Sequence, residues 1–278
     1  MTMRTTLVSI PTATKPLDGA YYEPEGRAPA GAVLLFHGNT MNFYYGPPRF
    51  LPPALTRLGL ACLAFNRRGH DILSTRDSRD AEGAAYQSAA EAIADNRTDA
   101  EWLGGRGFAH PVVIGHSHGG MLAVRHAADH PQTPALVLLS AHRGGKGLVP
   151  GGSKAGLLAG NRLEEITAQS KQLVEAGRGN ELILMPGWWY VVTAAGFLDM
   201  LENLPDVIEL APKVKSPTLY VRGDQEPAGL YPAEEFKSRA GGECTIEIPA
   251  NCGHFYLGCE EAVSATVAKW LAKTLRLQ

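Results

Sequence analysis

Gly115-His116-Ser117-His118-Gly119 sets a serine between two glycines. It follows the apolar run Val112 to Ile114 and leads directly into a helix-like segment, Met121 to His130. Gly-x-Ser-x-Gly in that setting is the pattern of a nucleophile elbow, a strand-to-helix turn that exposes a serine hydroxyl. Glycine suits both flanks because neighbouring backbone would collide with a Cβ there. The chemistry that a serine presented in this way suits is acyl transfer. That chemistry needs a base for the hydroxyl proton, a carboxylate to orient the base, and backbone donors for an oxyanion. The pentapeptide alone is short; its place between a strand and a helix gives it weight.

The base must come from elsewhere in the chain, and Asn251-Cys252-Gly253-His254-Phe255 supplies a candidate. His254 falls after the last predicted strand, Thr245 to Ile248, and before the closing helix, Glu260 to Leu275. For the acid, Arg222-Gly223-Asp224-Gln225-Glu226 offers two carboxylates just past a strand at Thr218 to Val221. Side chains two apart share a face of an extended segment, so either Asp224 or Glu226 can meet His254. His70, His110, His126, His130 and His142 stand in no comparable pattern. His116 and His118 flank the serine, but no carboxylate or cysteine cluster completes a metal site with them, so no metal is expected. Nothing in the sequence calls for a cofactor.

The chain that must position these groups has 278 residues, enough for one large domain with an insertion. A formal net charge of −2 without basic or acidic blocks gives no sign of a nucleic-acid or membrane partner. Residues 1–15 lack the apolar stretch of a signal peptide, and no run has membrane-spanning length. Cys62, Cys244, Cys252 and Cys259 show no Cys-x-x-Cys spacing and are expected to be free thiols in a reducing compartment. A cytoplasmic protein is the expectation.

Strands are expected at Thr6–Ile10, Gly19–Tyr22, Ala32–Phe36, Leu60–Phe65, at the elbow, at Ala135–Ser140, Thr218–Val221 and Thr245–Ile248. Continuous apolar runs such as Ala32 to Phe36 suit strands covered on both faces. Helices are expected at Phe50–Leu58 and Ala84–Leu103 between them. Strands alternating with helices imply crossovers and a mostly parallel sheet. One interval breaks the alternation: residues 143–213 are too long for a simple connection. Helical pieces at Leu163–Ala176 and Thr193–Asn203, with Trp188-Trp189-Tyr190 between them, read as a helical cap inserted into a core of residues 1–142 and 214–278. The aromatics either line a substrate pocket, with Phe197, or anchor the insertion.

Taken together, these pieces resemble the α/β-hydrolase fold family along nearly the whole chain. The likeness is carried by His37-Gly38, Arg68-Gly69-His70, Gly115-His-Ser-His-Gly119, Gly223-Asp-Gln-Glu226 and Gly253-His254, each after a strand. The resemblance implies an eight-stranded, mostly parallel sheet flanked by helices, with a cap. In relatives with Gly-Asp-x-Asp at this place the second acid is the usual triad member, which implies Ser117, His254 and Glu226, with Asp224 as the alternative acid. It also implies an oxyanion hole from the backbone N–H groups of His118 and Asn39, with Thr40 in reserve. Asn66-Arg67-Arg68-Gly69-His70-Asp71 departs from the family habit of opening this turn with Asp, and is read as a structural turn.

The expected activity is hydrolysis of a small-molecule ester, amide, thioester or lactone through an acyl-enzyme. The same triad also serves C–C bond hydrolysis and perhydrolysis, and the fold also occurs in binding proteins without catalysis. The expected partner is a small molecule with an apolar or aromatic group, touched by Trp188, Trp189, Tyr190 and Tyr44.

Overall fold

The computed structural model describes residues 2–70 and 82–277, so Asp71 lies outside the described residues. Strands form at β1 (Met3–Ile10), β2 (Leu17–Pro24), β3 (Gly31–Phe36), β4 (Leu60–Phe65), β5 (Val112–His116), β6 (Leu136–Leu139), β7 (Leu182–Met185), β8 (Tyr190–Thr193), β9 (Thr218–Val221) and β10 (Cys244–Glu247). The α-helices are α1 (Pro47–Phe50), α2 (Pro52–Arg57), α3 (Ala89–Gly104), α4 (His118–Asp129) and α5 (Leu148–Lys154). They continue with α6 (Leu163–Glu175), α7 (Ala194–Glu202), α8 (Val207–Leu210), α9 (Ala233–Arg239) and α10 (Glu260–Leu275).

Eight of the strands make one sheet in the order β1-β2-β4-β3-β5-β6-β9-β10. The first two pairings are antiparallel, and every pairing from β4 across to β10 is parallel. Strands β4, β5, β6 and β9 are buried at every residue, in keeping with their mostly apolar sequences. Alternate residues feed two cores. Leu34, Phe36, Leu63, Val113 and Leu138 face α3 and α4, while Val33, Leu35, Ile114, Val137 and Leu139 face α2 and α10.

The chain leaves β3 toward β4 on one side, and β5 pairs with β3 on the other. This reversal is a switch point, and in open α/β sheets ligands bind beyond the carboxyl ends of the strands there. His37, Ser117, Ser140 and Gly223 all follow those ends.

Two expected helices divide. Prolines at 47, 48, 52 and 53 break the first into α1 and α2. The second begins at Ser88, whose side chain caps Glu91 N–H while the Glu91 carboxylate returns to Ser88 N–H, so 84–86 form a separate 3₁₀ turn. In the interval 143–213 the expected helical pieces are joined by an antiparallel hairpin, β7–β8, for which the sequence reading gave no strands. The reason is a period of two: Ile183 and Met185 are buried while Leu182 and Leu184 are exposed. The interval is tied to α3 through α7, and its two ends are tied to each other. The Asp199 carboxylate on α7 accepts Ala89 N–H of α3 at 2.7 Å. Gly144 bridges to Asp206, and a Cβ on Gly144 would lie 1.9 Å from Pro205 O. Among the described residues, no helix is long and apolar enough to cross a membrane.

Candidate active site

Ser117 sits between β5 and α4 at φ 57°, ψ −121°, a backbone conformation that non-glycine residues seldom adopt. The surroundings hold it there. A Cβ on Gly115 would lie 2.2 Å from Gly119 O, and one on Gly119 would lie 2.3 Å from Phe36 O. Ser117 N–H donates to Leu139 O at 2.9 Å, which ties the turn to β6.

His254 reaches this turn from the loop between β10 and α10. Its Nε2 is 3.0 Å from Ser117 Oγ, and its Nδ1–H donates to Glu226 Oε1 at 2.7 Å. The other Glu226 oxygen accepts from Ser140 Oγ at 2.5 Å and from Gly223 N–H at 2.8 Å. Tyr256 adds a second layer, its hydroxyl lying 2.6 Å from Ser140 Oγ. Glu226 is thus a buried carboxylate with three donors aimed at it.

Asp224 points the other way. It is exposed, and its two oxygens accept Cys252 N–H and Asn251 N–H, each at 2.9 Å. Those backbone donors hold its carboxyl below the usual carboxylate range. The structure therefore brings Glu226 to His254 and gives Asp224 to the loop that carries His254. His116 supports the same loop, its Nε2–H donating to His254 O at 2.8 Å.

On the far side of Ser117 lies the loop after β3. A Cβ on Gly38 would lie 2.5 Å from Met41 Sδ and 3.2 Å from Ser117 Cβ, so glycine gives this backbone its close approach to the elbow. Gly38 O accepts from His37 Nδ1 at 2.8 Å and from Arg67 Nη2 at 3.1 Å, while Arg67 Nη1 donates to His37 O at 2.9 Å. A trans peptide sets its N–H opposite its C=O, so fixing Gly38 O turns Asn39 N–H away from Arg67. Arg67 is wholly buried; burial pulls its pKa down to about 9, and it remains cationic at neutral pH. The turn read from sequence as structural thus contains a buried guanidinium that grips the candidate oxyanion loop. Replacing Arg67 by Met is expected to lower kcat on the order of 10²-fold with little change in KM, because the loop loses its register without the pocket losing its walls. Steady-state kinetics on any turned-over ester checks this.

Two lobes of space adjoin the site, and Asn39, His118 and Met200 line both. One lobe is apolar, walled by Leu148, Leu157, Leu158, Trp188 and Leu230, with His142 beside them. The other is more polar, with Thr40, Gln87, Ser88, Asp199 and Tyr190. The Tyr190 hydroxyl, turned toward the Asn39 side chain, makes no hydrogen bond of full geometry with a described residue. Of the aromatics expected at the pocket, Trp188 and Tyr190 line it. Trp189 does not: it tops the hairpin turn at φ 54° and is 78% exposed. Tyr44 packs beside Arg49 on the surface, and Phe197 is buried in the core.

His142, which has no pattern in the sequence, is the residue that sequence reasoning missed. Its Nε2 lies 3.1 Å from Ser117 Oγ. The available signal was its place, just past the carboxyl end of the buried strand beside the elbow strand. Among the described residues, no group of three His, Cys, Asp or Glu side chains is placed to hold a metal ion.

The alpha/beta hydrolase family profile matches residues 33–267. No curated protein matches the chain. Among solved structures, the chain is similar to Est1E from Butyrivibrio proteoclasticus with ferulic acid bound, at 18% identity and a TM-score of 0.75, covering 97% of this chain and 99% of that one. It is also similar to a highly thermostable carboxyl esterase from Bacillus coagulans, at 16% identity and a TM-score of 0.70, covering 99% of each chain. A dienelactone hydrolase from Anabaena variabilis matches at 17% identity and a TM-score of 0.61, covering 98% of each. At these identities the likeness is one of fold.

Proposed function

We propose that this chain, which belongs to the alpha/beta hydrolase family, is a serine hydrolase that cleaves a small-molecule ester through an acyl-enzyme on Ser117. The observation that carries the reading is the unbroken hydrogen-bond path from Ser117 Oγ through His254 to Glu226. In this reading His254 Nε2 takes the Ser117 proton as Oγ attacks the acyl carbon. Backbone N–H groups of Asn39 and His118 meet the oxyanion. The proton then passes from His254 to the leaving alkoxide, and the alcohol departs. Water enters, gives its proton to His254 and attacks the acyl carbon. Oγ leaves with its electron pair and recovers the proton. Glu226 holds the imidazole in the tautomer with a free Nε2 lone pair and stabilises its cation.

The two lobes support a substrate with an apolar or aromatic side, against Trp188, and a hydrogen-bonding side, toward Tyr190. The ferulic acid bound in Est1E is an aromatic acid, which favours the same choice. Residues 143–213 act as the cap over this space, on a core of residues 1–142 and 214–278. No nucleic acid, membrane or cofactor enters this reading, and the free cysteines suit a cytoplasmic protein.

The test is reaction with a fluorophosphonate, combined with turnover of a panel of aryl esters, lactones and β-diketones. Phosphonylation of Ser117 with turnover of esters is expected. A protein that neither labels nor turns over any ester would refute the proposal, and selective turnover of β-diketones would move it to C–C hydrolysis.

A further inference from the structure

We infer that His142 is a second catalytic imidazole, one that donates its Nε2–H to Ser117 Oγ and stabilises the negative charge that forms there as the acyl bond is made and broken. The inference rests on Ser117 being the nucleophile.

The hydrogen-bond inventory around Oγ gives the direction. Glu226 accepts His254 Nδ1–H, so His254 Nε2 carries a lone pair and must receive the one proton of the Ser117 hydroxyl. The 3.1 Å contact to His142 Nε2 then has no serine proton left, and the proton in it belongs to His142. That leaves His142 Nδ1 as a lone pair, buried and without a partner among the described residues. His254 pulls a proton from Oγ while His142 offers one to it. Two bases would compete; a base and a donor cooperate.

The fold keeps His142 in that post. Ala141 O accepts the Tyr220 hydroxyl at 2.5 Å. On the other flank, Arg143 N–H donates to Leu230 O and Val207 N–H donates to Arg143 O, each at 2.9 Å. The ring lies on Tyr231 with centroids 5.0 Å apart and is 5% exposed. Burial first, and the neighbouring His254 second, push its pKa down to about 3, so it stays neutral while His254 cycles through its cation. A neutral, fixed N–H donor is what charge on Oγ calls for. Charge builds on Oγ twice: as its proton leaves for His254 and its electron pair bonds to carbon, and again as the C–Oγ bond breaks and the pair returns to oxygen. His142 acts in both.

His142→Phe keeps a ring and removes the donor, whereas His142→Gln puts an amide N–H near the same place. His142→Phe is expected to lower kcat for p-nitrophenyl acetate, and the rate of phosphonylation at Ser117, by about 10- to 100-fold with KM nearly constant. His142→Gln should recover most of that loss. In the unsubstituted protein, imidazole ¹⁵N NMR should show His142 protonated at Nε2, a readout that does not depend on any variant folding. Wild-type rates in His142→Phe, equal losses in both variants, or a proton on Nδ1 would each overturn the inference. A wild-type protein that neither labels nor hydrolyses esters would instead remove its premise.

Discussion

Replacing Ser117 with alanine is expected to lower kcat for ester turnover by about 10⁴- to 10⁶-fold and to abolish fluorophosphonate labelling, with KM nearly unchanged. The substitution removes the one atom that bonds to the acyl group. It leaves the Asn39 and His118 backbone donors, both lobes, and the His254–Glu226 pair in place. Alanine at φ 57° carries about the same backbone strain as serine, so the elbow itself is not expected to unravel. A thermal melt close to wild type would separate loss of chemistry from loss of fold. Unchanged turnover in Ser117→Ala would rule out the acyl-enzyme.

Glu226→Gln is expected to cost about 10⁴-fold in kcat, and Asp224→Asn no more than about tenfold. The donors around Glu226 explain the size of the first effect. Ser140 O–H and Gly223 N–H both aim at Oε2, so an amide must present its oxygen to them. Its NH₂ then faces His254 Nδ1, which can no longer carry a proton. The proton moves to Nε2, and His254 loses the lone pair that takes the Ser117 proton. Asp224 acts through backbone instead, holding Asn251 and Cys252 from the solvent side. Asparagine keeps one acceptor there, and the change should appear in thermal stability more than in kcat. Measuring kcat for both variants on the same ester decides between the acids; a larger loss in Asp224→Asn would reverse the assignment.

How much of this was legible in the sequence varies with the range of the interaction. The strands β3 to β6 and β9 announced themselves as apolar runs, and α10 as a helix with the observed ends, because burial on both faces or on one stripe is written into local periodicity. Ser117 and His254 were legible for a similar reason: each stands in a glycine-bearing turn beside a recognisable strand. The hairpin β7–β8 was not, since each strand is four residues long and its alternation is brief.

The choice between Asp224 and Glu226 had no local answer. Both follow β9, and what separates them is that the loop at 251–252, some 28 residues away along the chain, occupies Asp224. Trp188 and Trp189 are neighbours in sequence, yet one lines the apolar lobe and the other faces solvent, because the turn at φ 54° sends them apart. Arg67 was visible only as part of a turn; its grip on His37 O and Gly38 O spans thirty residues of chain.

The sequence by itself determined the order of the candidate groups along the chain: a serine on an elbow, then an acid, then a histidine, each in a turn whose glycines and flanking periodicity are local properties. The tertiary structure decided the partners. Parallel pairing of β3, β5, β6 and β9 brings their carboxyl ends side by side, so His142 meets the Ser117 hydroxyl, Glu226 meets the His254 imidazole, and the Gly38 backbone closes on Ser117, although these residues are far apart along the chain. Hydrogen bonds of about 3 Å depend on that alignment across the sheet, and no local pattern of residue types encodes it.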